Sequence, residues 1–211
     1  MKHRPIIFLG PSLPVAEARK IIDADYRAPL RSGDLDGIGC AAMVGVIDGV
    51  LDRTHRIGTS EIHRALERGI CILGAASTGA LIASRVPHTR LQGVGRINDF
   101  MALCPEEAED LVAVLYTEHD HARLTEPLVN AVLSYIDACT SAGIPICDLS
   151  VLLRRLRTLP LPDRSRDSLQ MALRAVSAEA DRPVVPGEIR DYKAADARLL
   201  LRRIGKSRAE R

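Results

Sequence analysis

The sequence lacks tryptophan and is poor in other aromatic residues, with two Phe and four Tyr among 211 residues. It therefore has no row of stacking side chains of the kind that single-stranded nucleic-acid binders use, and we expect no nucleic acid as a partner. The longest uncharged run, residues 70–84, is shorter than the roughly 18 residues that a membrane-spanning helix needs. The apolar run at residues 6–9 is too short for a signal peptide, so we expect no membrane segment and a cytoplasmic protein.

Patterns typical of disulfides and metal sites are also missing. The five cysteines are an odd set without a C-x-x-C pair, which argues against a disulfide framework and a thiolate-bound zinc ion. Among the six histidines, His119 and His121 are close in sequence, but no carboxylate or thiol at ligand spacing joins them. We therefore predict no metal.

Two nucleotide-binding motifs are present only in part. Residues 74–79 have the glycine spacing of a phosphate-binding loop, but Ala and Leu follow where Lys and then Ser or Thr are needed. The Gly-x-Gly at residues 93–95 lacks its third glycine, because Asn98 holds that place. The sequence therefore predicts neither a nucleoside triphosphate site nor a dinucleotide cofactor.

Apolar, β-rich runs at residues 6–9, 44–47 and 70–73 each end in Gly or Asp-Gly, as buried parallel strands do. Helical patterns separate or follow these runs, and the alternation predicts an open, mostly parallel, Rossmann-like α/β sheet with flanking helices. We expect helices at about 14–23, at 61–68 with Ser60 as its cap and Gly69 as its stop, at 77–86 ending before Pro87, and at 125–142. A further strand is expected at 111–116.

Beyond Pro145 the sequence changes to Arg-rich helical patterns, at 149–157, 165–178 and 189–204. We predict an α/β core domain at residues 1–147 and a basic helical C-terminal extension at 148–211. Residues 1–149 carry a net charge of −5 and residues 150–211 one of +7. This asymmetry favours an acidic partner for the extension, and the alternative is that these cations only solvate outer helix faces.

Ligands and catalytic groups of such sheets gather at the carboxyl ends of the strands. The most informative of these ends is at residues 74–80, where a strand runs into small residues and Ser77, and Gly79 opens a helix. This order brings a hydroxyl and free backbone N–H groups to one point, which suits an anion or a developing oxyanion. Ala75-x-Ser77-x-Gly79 resembles a nucleophile elbow with Ala in place of the first glycine, whereas a serine there can also be only an N-cap.

Eight segments in order resemble the core of the TfuA-like family. They are IFLGPSL at 7–13, GDL at 33–35, IDG at 47–49, EI at 61–62, GAAS at 74–77, GAL at 79–81, GVGR at 93–96 and LTEPLVN at 124–130. The resemblance covers about residues 5–135, with a weaker similarity at 193–200. It implies a role beside YcaO-type enzymes in peptide backbone thioamidation. It also implies hydrolysis of the C-terminal thiocarboxylate of a ThiS-like sulfur-carrier protein, with a precursor peptide as a further possible partner.

From this resemblance and the strand ends we expect one site at the carboxyl edge of the sheet. Ser77 is the expected nucleophile or oxyanion contact, and spacing alone does not choose its general base. The expected catalytic carboxylates are Glu61, Asp48 and Asp34, and the expected substrate-binding residues are Gly10, Ser12, Gly74, Thr78, Gly79 and Arg96. Asp48-Gly49 is alternatively a turn, and Asp34 alternatively caps a loop.

Several positions depart from the family pattern. Thr59 and Ser60 stand where the family usually shows His-Lys, which removes a potential base and a potential anion clamp. Thr78, Ile82 and Leu111 replace a usual Met, Arg and acidic residue. A second hypothesis follows, in which the protein is a non-catalytic binding module that recruits YcaO, the sulfur carrier or the precursor peptide through its basic C-terminal helices. A third is a binder of a small anionic metabolite.

Overall fold

Five strands form one all-parallel sheet in the computed structural model, which describes residues 4–39, 42–103, 108–146, 149–178 and 184–209. The strands are β1 Ile6–Phe8, β2 Asp25–Arg27, β3 Met43–Val46, β4 Cys71–Ala75 and β5 Leu91–Val94, in the spatial order β2-β1-β3-β4-β5. The predicted open, parallel α/β sheet is therefore confirmed.

The helices of the described residues flank the sheet and continue beyond it. They are α1 Val15–Ala18, α2 Thr59–Glu67, α3 Thr78–Arg85, α4 Arg96–Leu103, α5 Ala108–Val112, α6 Leu128–Ser141, α7 Leu149–Arg157, α8 Arg166–Ala178 and α9 Tyr192–Ala209. None of these helices is both long and apolar enough to cross a membrane.

Each face of the sheet is covered by its own helices, because neighbouring side chains of a strand point to opposite faces. Ile7 packs in one cluster with Leu200 and Ile204 of α9 and with Ala18 of α1. Phe8 packs in the opposite cluster, with residues of α2 and α3. A third cluster joins α3 to α6 and to the helices α7 and α8.

The last helix of the predicted C-terminal extension packs directly on the sheet. A side-chain carbon added to Gly45 of β3 would contact Leu200 and Ile204 of α9 at 3.0 Å, so this helix lies in close contact with the central strand. The division of the chain into a core domain and an extension stays a prediction. Removing α9, however, would expose the sheet face that it covers.

The strand predicted at residues 111–116 is wrong. Residues 108–112 form helix α5, whose buried residues Ala108, Leu111 and Val112 have the i, i+3, i+4 spacing of a helix face. The β-branched and aromatic composition of the run suggested a strand, but contacts of α5 with α3 and α6 decide its conformation.

The predicted boundaries of two helices also need correction. Ser60 is the second residue of α2 and not its cap, because Gly58 holds the N-cap position without a side-chain hydrogen bond. Gly69 follows the C-cap of α2 with a φ of 87°, which confirms the predicted stop. Helix α1 is a single turn, shorter than the helix predicted at 14–23.

Helix α3 begins in direct backbone contact with the strand ends. A side-chain carbon on Gly79 would overlap the carbonyl group of Val46, and one on Gly74 would overlap the carbonyl group of Gly79. Only glycine therefore permits this approach of the helix to β3 and β4. The approach fixes the position of the residues between β4 and α3.

We predict that Gly79→Ala lowers the free energy of unfolding by about 3 kcal/mol or more, because the rigid Val46 carbonyl leaves no room for a methyl group. The matched control is Gly205→Ala in α9, where no atom lies within 4 Å of the added side-chain carbon. Alanine raises the free energy of unfolding there by about 1 kcal/mol, because it favours a helix more than glycine does. Urea unfolding of both variants measures the difference. Equal free energies of unfolding for the two variants would contradict the close approach of α3 to the strands.

Candidate functional site

The strand order creates a switch point at the carboxyl ends of β1 and β3. Chain connections run from these two neighbouring strands toward opposite sides of the sheet, and α/β proteins of this order bind ligands in the crevice between them. Residues 10–12 follow β1 and Asp48 follows β3. The structure thus places three of the predicted site residues, Gly10, Ser12 and Asp48, at the switch point.

Asp48 ties these two loops together. Its Oδ2 accepts hydrogen bonds from the backbone N–H groups of Gly10 at 2.9 Å and Ser12 at 3.0 Å. Its Oδ1 accepts a hydrogen bond from the Ser12 hydroxyl at 2.7 Å. Both side chains are buried, so three hydrogen bonds compensate for the removal of the carboxylate from water.

A buried cation that sequence reasoning missed lies beside this carboxylate. Lys193, in the first turn of α9, is completely buried, and its Nζ donates a hydrogen bond to the Val112 carbonyl at 3.0 Å. The same Nζ lies 4.0 Å from Asp48 Oδ1. Burial lowers the pKa of Lys193 from 10.5 to about 8, although the charge of Asp48 acts in the opposite direction. The only signal for this residue was the weak family similarity at 193–200.

An open crevice of about 560 Å³ borders the switch point and is lined by both Gly10 and Ser12. Its wall carries an ion pair between Arg123 and Asp191, with Arg123 Nη2 at 2.5 Å from Asp191 Oδ2. Burial acts to raise the pKa of Asp191, but the hydrogen bond and charge of Arg123 hold that pKa below its usual value. The charges of Arg123 and Asp191 thus compensate each other.

Ser77 sits on an unusual turn between β4 and α3. Ala76 has a φ of 65°, and the Ser77 N–H donates to the Ala75 carbonyl at 2.7 Å, which together define a γ-turn. A positive φ is strained for a residue other than glycine, and such strain is often found at functional sites. Ser77 occupies the N-cap position of α3, but its side chain makes no capping hydrogen bond.

The Ser77 hydroxyl makes no hydrogen bond to any residue of the described chain, and the residue is only 4% exposed. The polar groups of the next two residues make hydrogen bonds within the protein. The Thr78 hydroxyl donates to the Gly49 carbonyl at 2.9 Å, and the Gly79 N–H donates to the Ile47 carbonyl at 3.4 Å. The expectation of several free backbone N–H groups at this point is therefore wrong for Ser77 and for Gly79. The serine hydroxyl has no hydrogen-bond partner among the described residues, and Ser77 is not one of the residues that line the crevice beside Gly10 and Ser12.

Glu61 and Asp34 act on the loop that follows β2. The Glu61 carboxylate accepts hydrogen bonds from the N–H groups of Gly33 at 2.9 Å and Leu35 at 3.1 Å, and it is buried. Asp34 Oδ2 accepts from the N–H of Arg31 at 2.7 Å, as a loop cap does. Neither carboxylate is hydrogen-bonded to Ser77, so their direct part in a reaction stays a prediction.

Arg96 faces α6 and α9. Its Nη1 donates to both carboxylate oxygens of Asp137, at 2.5 and 2.7 Å, and its guanidinium lies 5.3 Å from the centre of the Tyr192 ring. The backbone N–H of Arg96 donates to Asp196 at 3.2 Å. Burial raises the pKa of Asp196 to about 6, and Gly95, with a φ of 94°, leaves room for this carboxylate at the start of α4.

The histidines of the described residues do not complete a catalytic site with Ser77. His55 lies on an exposed loop with its Nδ1 at 3.0 Å from Asp52 Oδ1, and no histidine between residues 4 and 209 that the structure describes is hydrogen-bonded to the serine. Within the same residues, no group of three or more His, Cys, Asp or Glu side chains is placed to hold a metal ion.

The chain matches a known protein family over part of its length. The family described as TfuA-like protein matches residues 48–165, which is more than half of the chain. The matched region contains Asp48, Glu61 and Ser77, whereas Gly10, Ser12 and Lys193 lie outside it. No curated protein matches the chain.

We predict that the free energy of unfolding rises with pH between about 8 and 10.5. The folded-state pKa of Lys193 lies below its unfolded value, so the unfolded state binds more protons in this window. The slope due to this group reaches at most about 1.4 kcal/mol per pH unit. Chemical unfolding at several pH values measures it.

Lys193→Met is expected to remove this rise, and it also destabilises the fold near neutral pH because Asp48 loses its counter-charge. Lys206→Met, at an exposed position of the same helix, is the matched control and keeps the rise. A wild-type stability that stays flat over this window would contradict the assignment of the buried lysine.

Proposed function

The chain belongs to the TfuA-like family, and from this premise we propose that it assists a YcaO-type enzyme in peptide backbone thioamidation by hydrolysing a thiocarboxylated sulfur-carrier protein. The carrier is ThiS-like, and the product that the pathway uses is sulfide. The family membership and the arrangement of Ser77 at the carboxyl edge of the sheet support this proposal.

The proposed reaction converts the carrier's terminal –COS⁻ group and one water into –COO⁻ and H₂S. Water adds to the carbonyl carbon, the C–S bond breaks, and the two protons of the water end on the departing sulfur. Negative charge grows on the carbonyl oxygen when the tetrahedral intermediate forms. A site that performs this step therefore needs a hydrogen-bond donor at that oxygen.

The observation that carries the proposal is the Ser77 hydroxyl at the start of α3, which has no hydrogen-bond partner among the residues that the structure describes. We assign it the role of donor to the carbonyl oxygen, since no base of the described residues is hydrogen-bonded to it and could activate it as a nucleophile. The positive end of the α3 dipole favours negative charge at the same place. Burial strengthens both effects because it lowers the local dielectric constant.

Asp48 and Glu61 have a supporting role in this proposal. Asp48 fixes the loop after β1, and Glu61 fixes the loop after β2, each through two backbone N–H groups. These contacts keep the carboxyl edge of the sheet in one shape. A rigid edge holds a donor such as Ser77 in place before the substrate arrives.

A second function, docking of an acidic partner protein, is favoured by one surface of α9. Leu199, Arg202, Arg203 and Lys206 have the i, i+3, i+4, i+7 spacing of one helix face, and all four are exposed. The opposite face of the same helix is buried on the sheet. A cationic face with one exposed leucine fits an acidic surface with an apolar centre.

We predict that Ser77→Ala lowers kcat for sulfide release from a thiocarboxylated carrier about 10²- to 10³-fold, because one oxyanion donor is lost. Ser77→Cys distinguishes the two roles of the residue: a donor role predicts an equally large loss, whereas a nucleophile role predicts that the thiol retains activity. Ser84→Ala in the same helix is the control, since its hydroxyl only donates to the Leu81 carbonyl. Wild-type release at the uncatalysed rate would eliminate the hydrolase proposal.

For docking, the triple variant Arg202→Glu, Arg203→Glu, Lys206→Glu is expected to weaken binding of a purified YcaO-type partner at least about tenfold at low salt. Truncation of the C-terminal segment is unsuitable because α9 covers the sheet. The control is the variant Arg154→Glu, Arg174→Glu, which reverses the charge of two exposed arginines on α7 and α8. Binding that responds equally to both variants would count against a specific surface on α9.

A further inference from the structure

The ammonium group of Lys193 has few partners for a buried charge. A lysine ammonium carries three N–H donors, and Lys193 uses one of them, on the Val112 carbonyl at 3.0 Å. Asp48 Oδ1 lies 4.0 Å away, beyond hydrogen-bond distance, and three other donors already fill the Asp48 carboxylate. Two donors of a completely buried cation therefore have no partner among the residues that the structure describes. Such a group is costly to bury, which makes it a candidate for a function.

The carboxylate beside this ammonium lies next to the turn that holds Ser77. Strands β3 and β4 are parallel neighbours, and Asp48 and Ser77 each lie two residues after the end of their strand. The two turns are also bonded to each other, since the Thr78 hydroxyl donates to the Gly49 carbonyl at 2.9 Å. Asp48 and Ser77 are therefore adjacent positions at one edge of the sheet.

The side chain of Lys193 spans the same edge. Its neighbour in α9, Ala194, packs in one apolar cluster with Ala76, the residue before Ser77. At the other end of the side chain, the ammonium binds the carbonyl of Val112, which packs in a second cluster with residues of α3. The lysine thus runs from the residue before Ser77 to the helix after it. We therefore place its charge close to the serine hydroxyl, to which it is not hydrogen-bonded.

The other charged side chains around this lysine belong to separate contacts. Those that face it from neighbouring elements are Asp48 after β3, Arg123 and Glu126 before α6, and Asp191 before α9. Arg123 Nη2 lies 2.5 Å from Asp191 Oδ2, and Glu126 Oε2 lies 3.7 Å from Arg166 Nη2. Asp196, one turn further along α9, binds the start of α4, and the first turn of α3 has no acidic residue. The carboxylate after β3 is therefore the counter-charge of the lysine.

We propose that Lys193 is a positioning residue for the reaction at Ser77: its buried positive charge holds the anionic terminal group of the carrier at the serine and stabilises the charge that grows on the carbonyl oxygen. This inference rests on the proposed function and deepens it. Without the ammonium, the charge of Asp48 would repel the –COS⁻ group at the adjacent position. Lys193 does not touch the carrier and exchanges no proton with it, because it is completely buried. It acts through its electric field, which is strong where the local dielectric constant is low.

The dependence on pH distinguishes this role from a structural one. Burial lowers the pKa of Lys193 to about 8, so the free protein loses this positive charge as the pH rises above that value. Loss of the charge lowers the rate of sulfide release, whereas the free energy of unfolding rises over the same pH window. Rate and stability therefore change in opposite directions. A residue with only a structural task would not lower the rate while the fold becomes more stable.

The first test measures kcat/KM for sulfide release across this pH window, because that ratio reports ionisation of the free protein. We expect the wild-type value, corrected for uncatalysed release, to fall about tenfold between about pH 8 and 9.5. Lys193→Met is expected to give a value about tenfold lower at neutral pH and no further fall, whereas Lys20→Met, at an exposed lysine, keeps the wild-type profile. A flat or rising wild-type profile, or a fall that persists in Lys193→Met, would overturn the inference.

The second test needs neither turnover nor a variant that folds. Calorimetry measures binding of a ThiS-like carrier with its C-terminal carboxylate to the wild-type protein near pH 8, in two buffers whose ionisation enthalpies differ. An anion bound close to Lys193 raises the pKa of this lysine, so we expect uptake of about half a proton per carrier. The same carrier with a C-terminal amide brings no charge and is the matched control. Equal proton uptake with both carriers, no uptake, or no binding of the carboxylate form would overturn the inference.

The outcomes separate this inference from the hydrolase proposal. Proton uptake that requires the terminal carboxylate, together with sulfide release at the background rate, would keep the charge of Lys193 in carrier binding and remove the hydrolysis. Sulfide release above background, with a flat pH profile and no proton uptake, would keep the hydrolysis and remove the role of Lys193.

Discussion

The contact between the first turn of α3 and the ends of β3 and β4 is the constraint on which the candidate site depends. Gly74 and Gly79 allow backbone to meet backbone there, and no side chain fits between them. The chain must then reverse within one residue, and the γ-turn at Ala76 is the result. Ser77 is held at the helix start by this turn, and its hydroxyl has no hydrogen-bond partner in the part of the chain that the structure describes.

The neighbouring switch point is held by charge. The buried pair of Asp48 and Lys193 joins the loops after β1 and β3 to α9, which comes from the other end of the chain. A buried ion pair of this kind contributes little net stability, but removal of either partner is costly. Helix α9 therefore has two different faces. One face packs on the sheet and brings Lys193 to Asp48, and the other exposes cationic side chains to the solvent.

The sequence predicted those parts of the fold that depend on local pattern. Apolar runs that end in Gly or Asp-Gly located β1, β3 and β4. Gly69 located the end of α2, and Pro87 located the end of α3. The edge strands β2 and β5 were not predicted, because their sequences, DYR and LQGV, include polar, exposed residues and form no continuous apolar run. α5 was predicted wrongly because its strand-like composition is outweighed by contacts with α3 and α6. The strand ends with Asp48 and Ser77 were predicted, but Lys193 was not, since its pairing joins residues that are distant in the chain.

A structure of this protein bound to a carrier that ends in an unreactive carboxylate would test the central claim most directly. The account predicts that a terminal oxygen lies within about 3 Å of Ser77 Oγ. A terminus bound in the crevice between β1 and β3, with Ser77 untouched, would contradict it.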